Sequence, residues 1–152
     1  LIDAYDIYNV TTKLDGGVYD DLHNTPLDGK FSYEYDKKAY KAGDDVTVKV
    51  KGHGMQSVNA FNFVLPYHPQ DMRFVKAEAV AAKDMRNMTY DRHHSDGSQV
   101  LYPTFANVGN QATLTGDETL CELHFKAVRS FTVKQQAPKG MAVDKNLNEL
   151  DF

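Results

Sequence analysis

The 152-residue chain has no Trp, a single Cys and no apolar run near the ~18 residues that a membrane-spanning helix needs. The lone Cys121 excludes an internal disulfide, and its place in an alternating apolar run fits a buried, inert thiol better than a nucleophile. A dominant charge is missing too. Seventeen Lys and Arg against 21 Asp and Glu leave −4 with no basic stripe, which argues against nucleic acid as the main partner. Repeats and low-complexity tracts are absent. So are a Gly-x-Ser-x-Gly elbow, a His-Glu-x-x-His pair and a Gly-rich phosphate loop. Carboxylates are plentiful, yet no pair stands where one would be pushed up and the other down, so no catalytic residue is expected. The chain opens Leu1-Ile2-Asp3 without an initiator Met or a leader, as a module cut from a longer polypeptide would, with any export signal upstream.

What is present reads as one folded domain. The chain is 41% hydrophobic with nine Tyr and eight Phe. At this length a chain buries roughly 68–70% of its unfolded surface, enough for a core without disulfides or metal. Ile7, Val10 and Leu14 recur at helical spacing before Gly16-Gly17, which predicts a short N-terminal helix. Residues 18–30 are turn-rich and read as a linker.

From Phe31 the period changes to two. Val46, Val48 and Val50 alternate with Thr47, Lys49 and Lys51, and Gly52-His53-Gly54 is expected to break that strand. Phe61, Phe63 and Leu65 alternate with Ala60, Asn62 and Val64 until Pro66, which is expected to end the strand. Phe74–Ala77 is a short strand, and residues 79–97 read as a loop with one helical turn. Gln99–Phe105 is a strand interrupted by Pro103, and Thr119–Val128 places Cys121, Leu123, Phe125 and Ala127 inward. Phe131–Lys134 and Gly140–Val143 close the set. The expectation is an all-β, antiparallel β-sandwich of about eight to nine strands in jelly-roll style, behind a short helix. Its core is sealed by Phe61, Phe63, Leu123 and Phe125.

Three stretches carry a family resemblance. These are Gly43-Asp-Asp-Val-Thr-Val-Lys-Val50, then Val58-Asn-Ala-Phe-Asn-Phe-Val-Leu-Pro-Tyr67 with Pro69-Gln-Asp-Met-Arg-Phe-Val75, and Gly116-Asp-Glu-Thr-Leu-Cys-Glu-Leu-His-Phe-Lys126. In this order, from about Tyr33 onward, the chain resembles the cohesin family and its carbohydrate-binding-module relatives. It departs at His68, where cohesins usually carry Asp before the proline. Leu1 to Asp6 resemble the second half of a dockerin calcium loop, with Asp6 at the bidentate position and Asp3 at the water-mediated one. The other ligands and the loop Gly are missing, so this fragment is expected not to hold calcium tightly. An equal alternative is that Asp3 and Asp6 cap the helix.

The resemblance divides the chain into a truncated dockerin-like helix (1–17), a linker (18–30) and a cohesin-like sandwich (31–152). It implies a non-catalytic, exported accessory module of a larger secreted glycoside hydrolase. The partner would be a dockerin-like protein segment, in cis or in trans, and no cofactor is implied outside the calcium of an intact parent. Contacts would lie on one sheet face, near Asn62, Tyr102 and His124. A carbohydrate-binding role, with Tyr67, Tyr90 and Tyr102 as aromatic platforms, and a pure spacer role are the alternatives.

The remaining constellations point elsewhere. His93-His94 would face opposite sides of a strand and have no spaced partner, so they read as solvated loop residues rather than ligands. His23 and His53 sit in turns. Asp144-Lys-Asn-Leu-Asn148 copies the start of a calcium loop but has Glu149 where Gly is required, and reads as a polar turn. Met85, Met88 and Tyr90 form an apolar group that folds over the core or offers an adaptable contact.

Overall fold

A computed structural model describes residues 30–109 and 112–152. The expected N-terminal helix, the linker up to Gly29, and Asp3 and Asp6 lie outside the described residues.

The described chain forms twelve antiparallel strands: β1 (Lys30–Tyr35), β2 (Ala39–Tyr40), β3 (Asp45–Tyr67), β4 (Met72–Ala79), β5 (Arg86–Asn87), β6 (Tyr90–His93), β7 (Gln99–Tyr102), β8 (Thr104–Ala106), β9 (Leu114–Ala127), β10 (Phe131–Thr132), β11 (Lys139–Asp144) and β12 (Glu149–Asp151). The all-β expectation holds. The strand number is larger because residues 79–97 contribute β5 and β6, Gln99–Phe105 divides at Pro103 into β7 and β8, and β2 and β12 are added, while two expected strands join as β3; Phe131–Lys134 shortens to a two-residue strand paired with β2.

The architecture turns on β3, which is 23 residues long and bends midway, so that one continuous ten-stranded sheet folds into two layers, the first sheet and the second sheet below. Its first half pairs with β1 on one side and β9 on the other, and β4 pairs with β9. Its second half pairs with β11, then β12, on one side. On the other side it pairs with β8 and β7, which β5 and β6 extend.

The expected break at Gly52-His53-Gly54 is instead a bend with β-bulges. Register shifts fall at Val50/Lys51, Gly52/Met55 and Met55/Val58. Gly54 adopts φ +64° and Ser57 φ +53°, conformations that turn the strand without ending it. The amides freed by the bulges are taken up by neighbouring side chains. Gly54 N–H donates to the Asp117 carboxylate at 2.8 Å and Ser57 N–H to Thr115 Oγ1 at 3.1 Å.

Pro66 also fails to end β3, which continues to Tyr67 opposite Gln99. Phe63 N–H points to Pro103 O on the β7/β8 side, so by alternation the Pro66 nitrogen faces the β11 side. There β11 pairs only as far as Val64, and no ladder bond is lost.

The two halves of β3 face each other across one core. Val46, Val48, Val50, Phe61, Phe63, Leu65, Leu123 and Phe125 are all 0–2% exposed. Each buried Phe or Leu contributes about 1.5–3 kcal/mol relative to exposure. The Phe61 ring stacks on Phe105 at 5.3 Å, and Phe31 and Tyr33 of β1 meet Phe63 edge-on, which ties the first sheet to the second. Burial drives the Tyr33 phenol far above its usual range. Cys121 is fully buried among these residues and its thiol is pushed up to about 12, chiefly by desolvation, so it is packing and not chemistry.

Candidate functional site: the two outer sheet faces

Strand alternation sends the even-numbered residues of the second half of β3 away from the core. Ala60, Asn62 and Val64 therefore lie on the outer face of the second sheet. Register adds Met141 and Val143 from β11, Thr104 and Ala106 from β8, and Tyr102 and Val100 from β7. Arg86 and Arg92 stand at one rim, Lys139 opposite Val64, and Glu149 and Asp151 at the β12 rim. The centre is apolar and deeply withdrawn from solvent: Asn62 is 0% exposed, Met141 3% and Thr104 7%.

One glycine sets this face. Gly140, in β11 opposite Phe63, has φ +147°, and a Cβ there would stand 2.0 Å from the Asn62 carbonyl oxygen. Only glycine lets β11 close against β3 at that point. The other end of β11 turns through Asp144, whose carboxylate accepts from Asn146 N, Asn148 N and Asn148 Nδ2 at 2.8–3.0 Å. The calcium-like Asp144–Asn148 stretch is thus a polar turn with its carboxylate fully engaged by N–H donors.

Asn62 is the chemical focus of the face. Its Nδ2 donates to Thr104 Oγ1, which in turn donates to Tyr102 O at 3.0 Å. Its Oδ1 is buried with no hydrogen-bond partner. A buried acceptor left unmade costs about 1–3 kcal/mol, so a donor presented to this atom is favoured. Beside it, the Tyr90 and Tyr102 rings stack at 4.7 Å and 17°.

The outer face of the first sheet is chemically different. Thr47, Lys49 and Lys51 of β3 lie among Glu34 of β1, Glu122, His124 and Lys126 of β9, and Lys76 and Glu78 of β4. These side chains pair with one another. Lys51 reaches Glu34 at 2.7 Å, Lys126 reaches Asp45 at 2.9 Å and Lys76 reaches Glu78 at 3.3 Å. The Glu34 and Asp45 carboxyls are held below their ordinary values, each first by the hydrogen bond from its lysine. His124 sits here with Nδ1 3.5 Å from Thr47 Oγ1 and Nε2 3.7 Å from Glu122 Oε1. Among the described residues, Glu78, Glu122 and His124 are the one group whose donor atoms gather within 4.8 Å, and the Lys76 ammonium already bridges Glu78.

The three expected contact residues are therefore split. Asn62 and Tyr102 share the second sheet, one position apart along the face, while His124 belongs to the opposite side of the sandwich. A single sheet face holding all three is corrected, because β9 pairs with the first half of β3 and not with the second. Asn62 is also buried.

Tyr67 does not offer a free platform. Its hydroxyl donates to both Asp91 carboxylate oxygens at 2.8 Å and its ring meets Phe125 edge-on at 5.1 Å. It borders an open cleft of about 800 Å³ that also involves Tyr35, Phe131 and Gln136. The cleft's two carboxylates are engaged, Asp71 with Arg129 at 2.6 Å and Asp96 with Ser98. His93 Nδ1 lies 2.8 Å from Gln99 Oε1 in the β6–β7 hairpin, and His53 Nε2 lies 3.3 Å from Ser32 Oγ, both exposed.

No protein-family model matches the chain, and no curated protein does either. Solved structures do. A type II cohesin domain from the cellulosome of Acetivibrio cellulolyticus superposes with a TM-score of 0.60 at 12% identity, covering 80% of this chain and 87% of that one. A type I cohesin–dockerin complex from Clostridium thermocellum, containing the OlpA cohesin, gives 0.60 at 11% identity, covering 80% and 90%. The cohesin module of a Clostridium perfringens family 33 glycoside hydrolase gives 0.61 at 10% identity, covering 82% and 89%. The fold is the cohesin fold, as the three sequence stretches implied.

Proposed function

We propose that this chain is a non-catalytic recognition module that binds a dockerin-like helical segment on the outer face of its second sheet. The observation that carries the reading is the Asn62 centre: an apolar patch around a buried acceptor that lacks a donor, rimmed by charge. The opposite face is largely neutralised by lysine–carboxylate pairs, with His124 Nε2 its one buried side-chain atom without a hydrogen-bond partner among the described residues. The solved relatives include a cohesin with a dockerin bound and a cohesin carried by a glycoside hydrolase, which supports the partner type and an exported parent enzyme. On this reading the division into residues 1–17, 18–30 and 31–152 stands as dockerin-like segment, linker and sandwich. Carbohydrate binding is disfavoured by the committed Tyr67 ring and hydroxyl.

Calorimetry against dockerin segments, with and without Ca²⁺, tests this. Val64→Glu on the second face should weaken binding about tenfold or more, a loss of about 1.4 kcal/mol, while Lys49→Glu on the first leaves it within about twofold. Equal effects of the two substitutions would overturn the assignment of the face.

A further inference from the structure

We infer that Glu78, Glu122 and His124, on the outer face of the first sheet, form a zinc site that clips β4 onto β9. The site is independent of the recognition face proposed above, which lies on the other side of the sandwich. Pairing, an unpartnered ring nitrogen and the spacing of the donor atoms lead to it.

Register places Glu78 of β4 directly opposite Glu122 of β9. His124, two residues on, shares the outward face of Glu122. Like charges directly opposite each other destabilise a strand pair unless a cation stands between them. Glu34 and Asp45, on the same sheet, each have a lysine at 2.7 and 2.9 Å. Among the described residues no lysine or arginine reaches Glu122, whose ion-pair contact is His124 Nε2 at 3.7 Å.

That distance is too long for a hydrogen bond, and Nε2 is a buried atom without a hydrogen-bond partner. The other ring nitrogen, Nδ1, faces Thr47 Oγ1 at 3.5 Å. A polar group held at one imidazole nitrogen is the arrangement that orients the other towards a metal. Here the free nitrogen points to the two carboxylates.

The donor atoms of all three side chains lie within 4.8 Å of one another. Zinc bonds of about 2.0–2.2 Å set tetrahedral ligand atoms about 3.3–3.6 Å apart. The Nε2–Oε1 pair is already close to that separation. Glu78 has a side chain 53% exposed, free to swing aside for the ion and to close the remaining gap. Its present companion is the Lys76 ammonium at 3.3 Å. Exposed pairs of this kind hold weakly, so zinc displaces the lysine. An imidazole with two carboxylates suits zinc, whereas calcium and magnesium take oxygen ligands, and the fourth position is left to water. The consequence is mechanical. β4 is held in the sheet by β9 alone, through a ladder with a register shift between Phe74 and Lys76. An ion shared by Glu78 and the two β9 residues pins the part of β4 beyond that irregularity.

The test titrates the full chain, stripped of metal by a chelator, with zinc sulfate against a chromophoric zinc indicator. Thermal midpoints with and without zinc accompany it. One zinc per chain should bind and raise the midpoint. His124→Ala and Glu122→Gln should each lower zinc affinity tenfold or more and remove that rise. Both titrations are read at a temperature where the metal-free variants are folded, so a stability defect cannot imitate the loss. His93→Ala combined with His94→Ala should change neither quantity, and Lys76→Gln should tighten zinc about two- to fivefold. Val64→Glu, which tests the recognition face, should bind zinc as wild type does. Failure to bind zinc, equal affinity in wild type and His124→Ala, or a loss confined to the His93/His94 variant overturns the site and leaves the recognition reading standing.

Discussion

The two outer faces of this sandwich are built on the same strand, yet they solve the problem of facing outward in opposite ways. The first half of β3 shows Thr47, Lys49 and Lys51 to a lattice of ion pairs. The second half shows Ala60, Asn62 and Val64 to a recessed apolar patch. A face whose charges are already paired gains little from a partner, because binding must first desolvate and break those pairs. A face with a buried, unfilled acceptor gains from any partner that brings a donor. Position on the fold alone does not say which face recognises. The local chemistry does.

The sharpest way to break this contrast is at Gly140. Gly140→Ala drives a methyl group into the Asn62 carbonyl at a positive-φ position, and should cost about 3 kcal/mol of stability in urea or thermal unfolding while abolishing partner binding. A substitution without effect on stability would mean that β11 does not close on β3 as described.

A smaller effect separates the core between the faces from both surfaces. Burial raises the phenols of Tyr33, Tyr40 and Tyr67, so each binds its proton more tightly in the folded state. That contribution is fully present below the unfolded Tyr value near 10 and is lost as pH rises above it. The unfolding midpoint should therefore fall in alkali, and spectrophotometric titration should find these phenols ionising only as the chain unfolds. Phenols that titrate normally with the fold intact would contradict the packing.

The smallest effect belongs to the first face. Lys51→Gln and Lys126→Gln should leave the thermal midpoint unchanged within scan error at neutral pH, since both partner carboxylates are exposed. Glu34 and Asp45 have lowered folded values, so their slight stabilisation is present above about pH 4 and lost as pH falls through the folded values. A large midpoint drop in either variant would show that this face is more than a solvated lattice.

Much of the scaffold was legible in residue order. The alternations Val46-Val48-Val50, Phe61-Phe63-Leu65 and Cys121-Leu123-Phe125 each predicted a buried stripe, and every one of those residues is in the core. Period-two patterns are read locally, which is why they survive. The errors came where a local rule met a distant partner. Gly52-Gly54 signals a break, but Asp117 and Thr115, some 60 residues on, cap the freed amides and turn the break into a bend. Pro66 signals an end, but the strand that it would have starved stops two residues short of it.

The candidate site was legible only in part for the same reason. Asn62 and Tyr102 were singled out because they flank recognisable apolar runs, and the structure places both on the second sheet. His124 joined them because alternation says that a side chain points outward without saying from which sheet. Gly140 gave no local signal, since its need for glycine comes from the Asn62 carbonyl, 78 positions away.

By itself, the order of residues determined the class of the fold, the inward stripes and the burial of Cys121. Spacing of apolar residues along a strand is enough for these. Only the tertiary structure decided that one 23-residue strand serves two layers, which outer face carries ion pairs and which carries a shielded acceptor. Those outcomes depend on which strands lie side by side, and that is fixed by pairing between segments far apart in the chain.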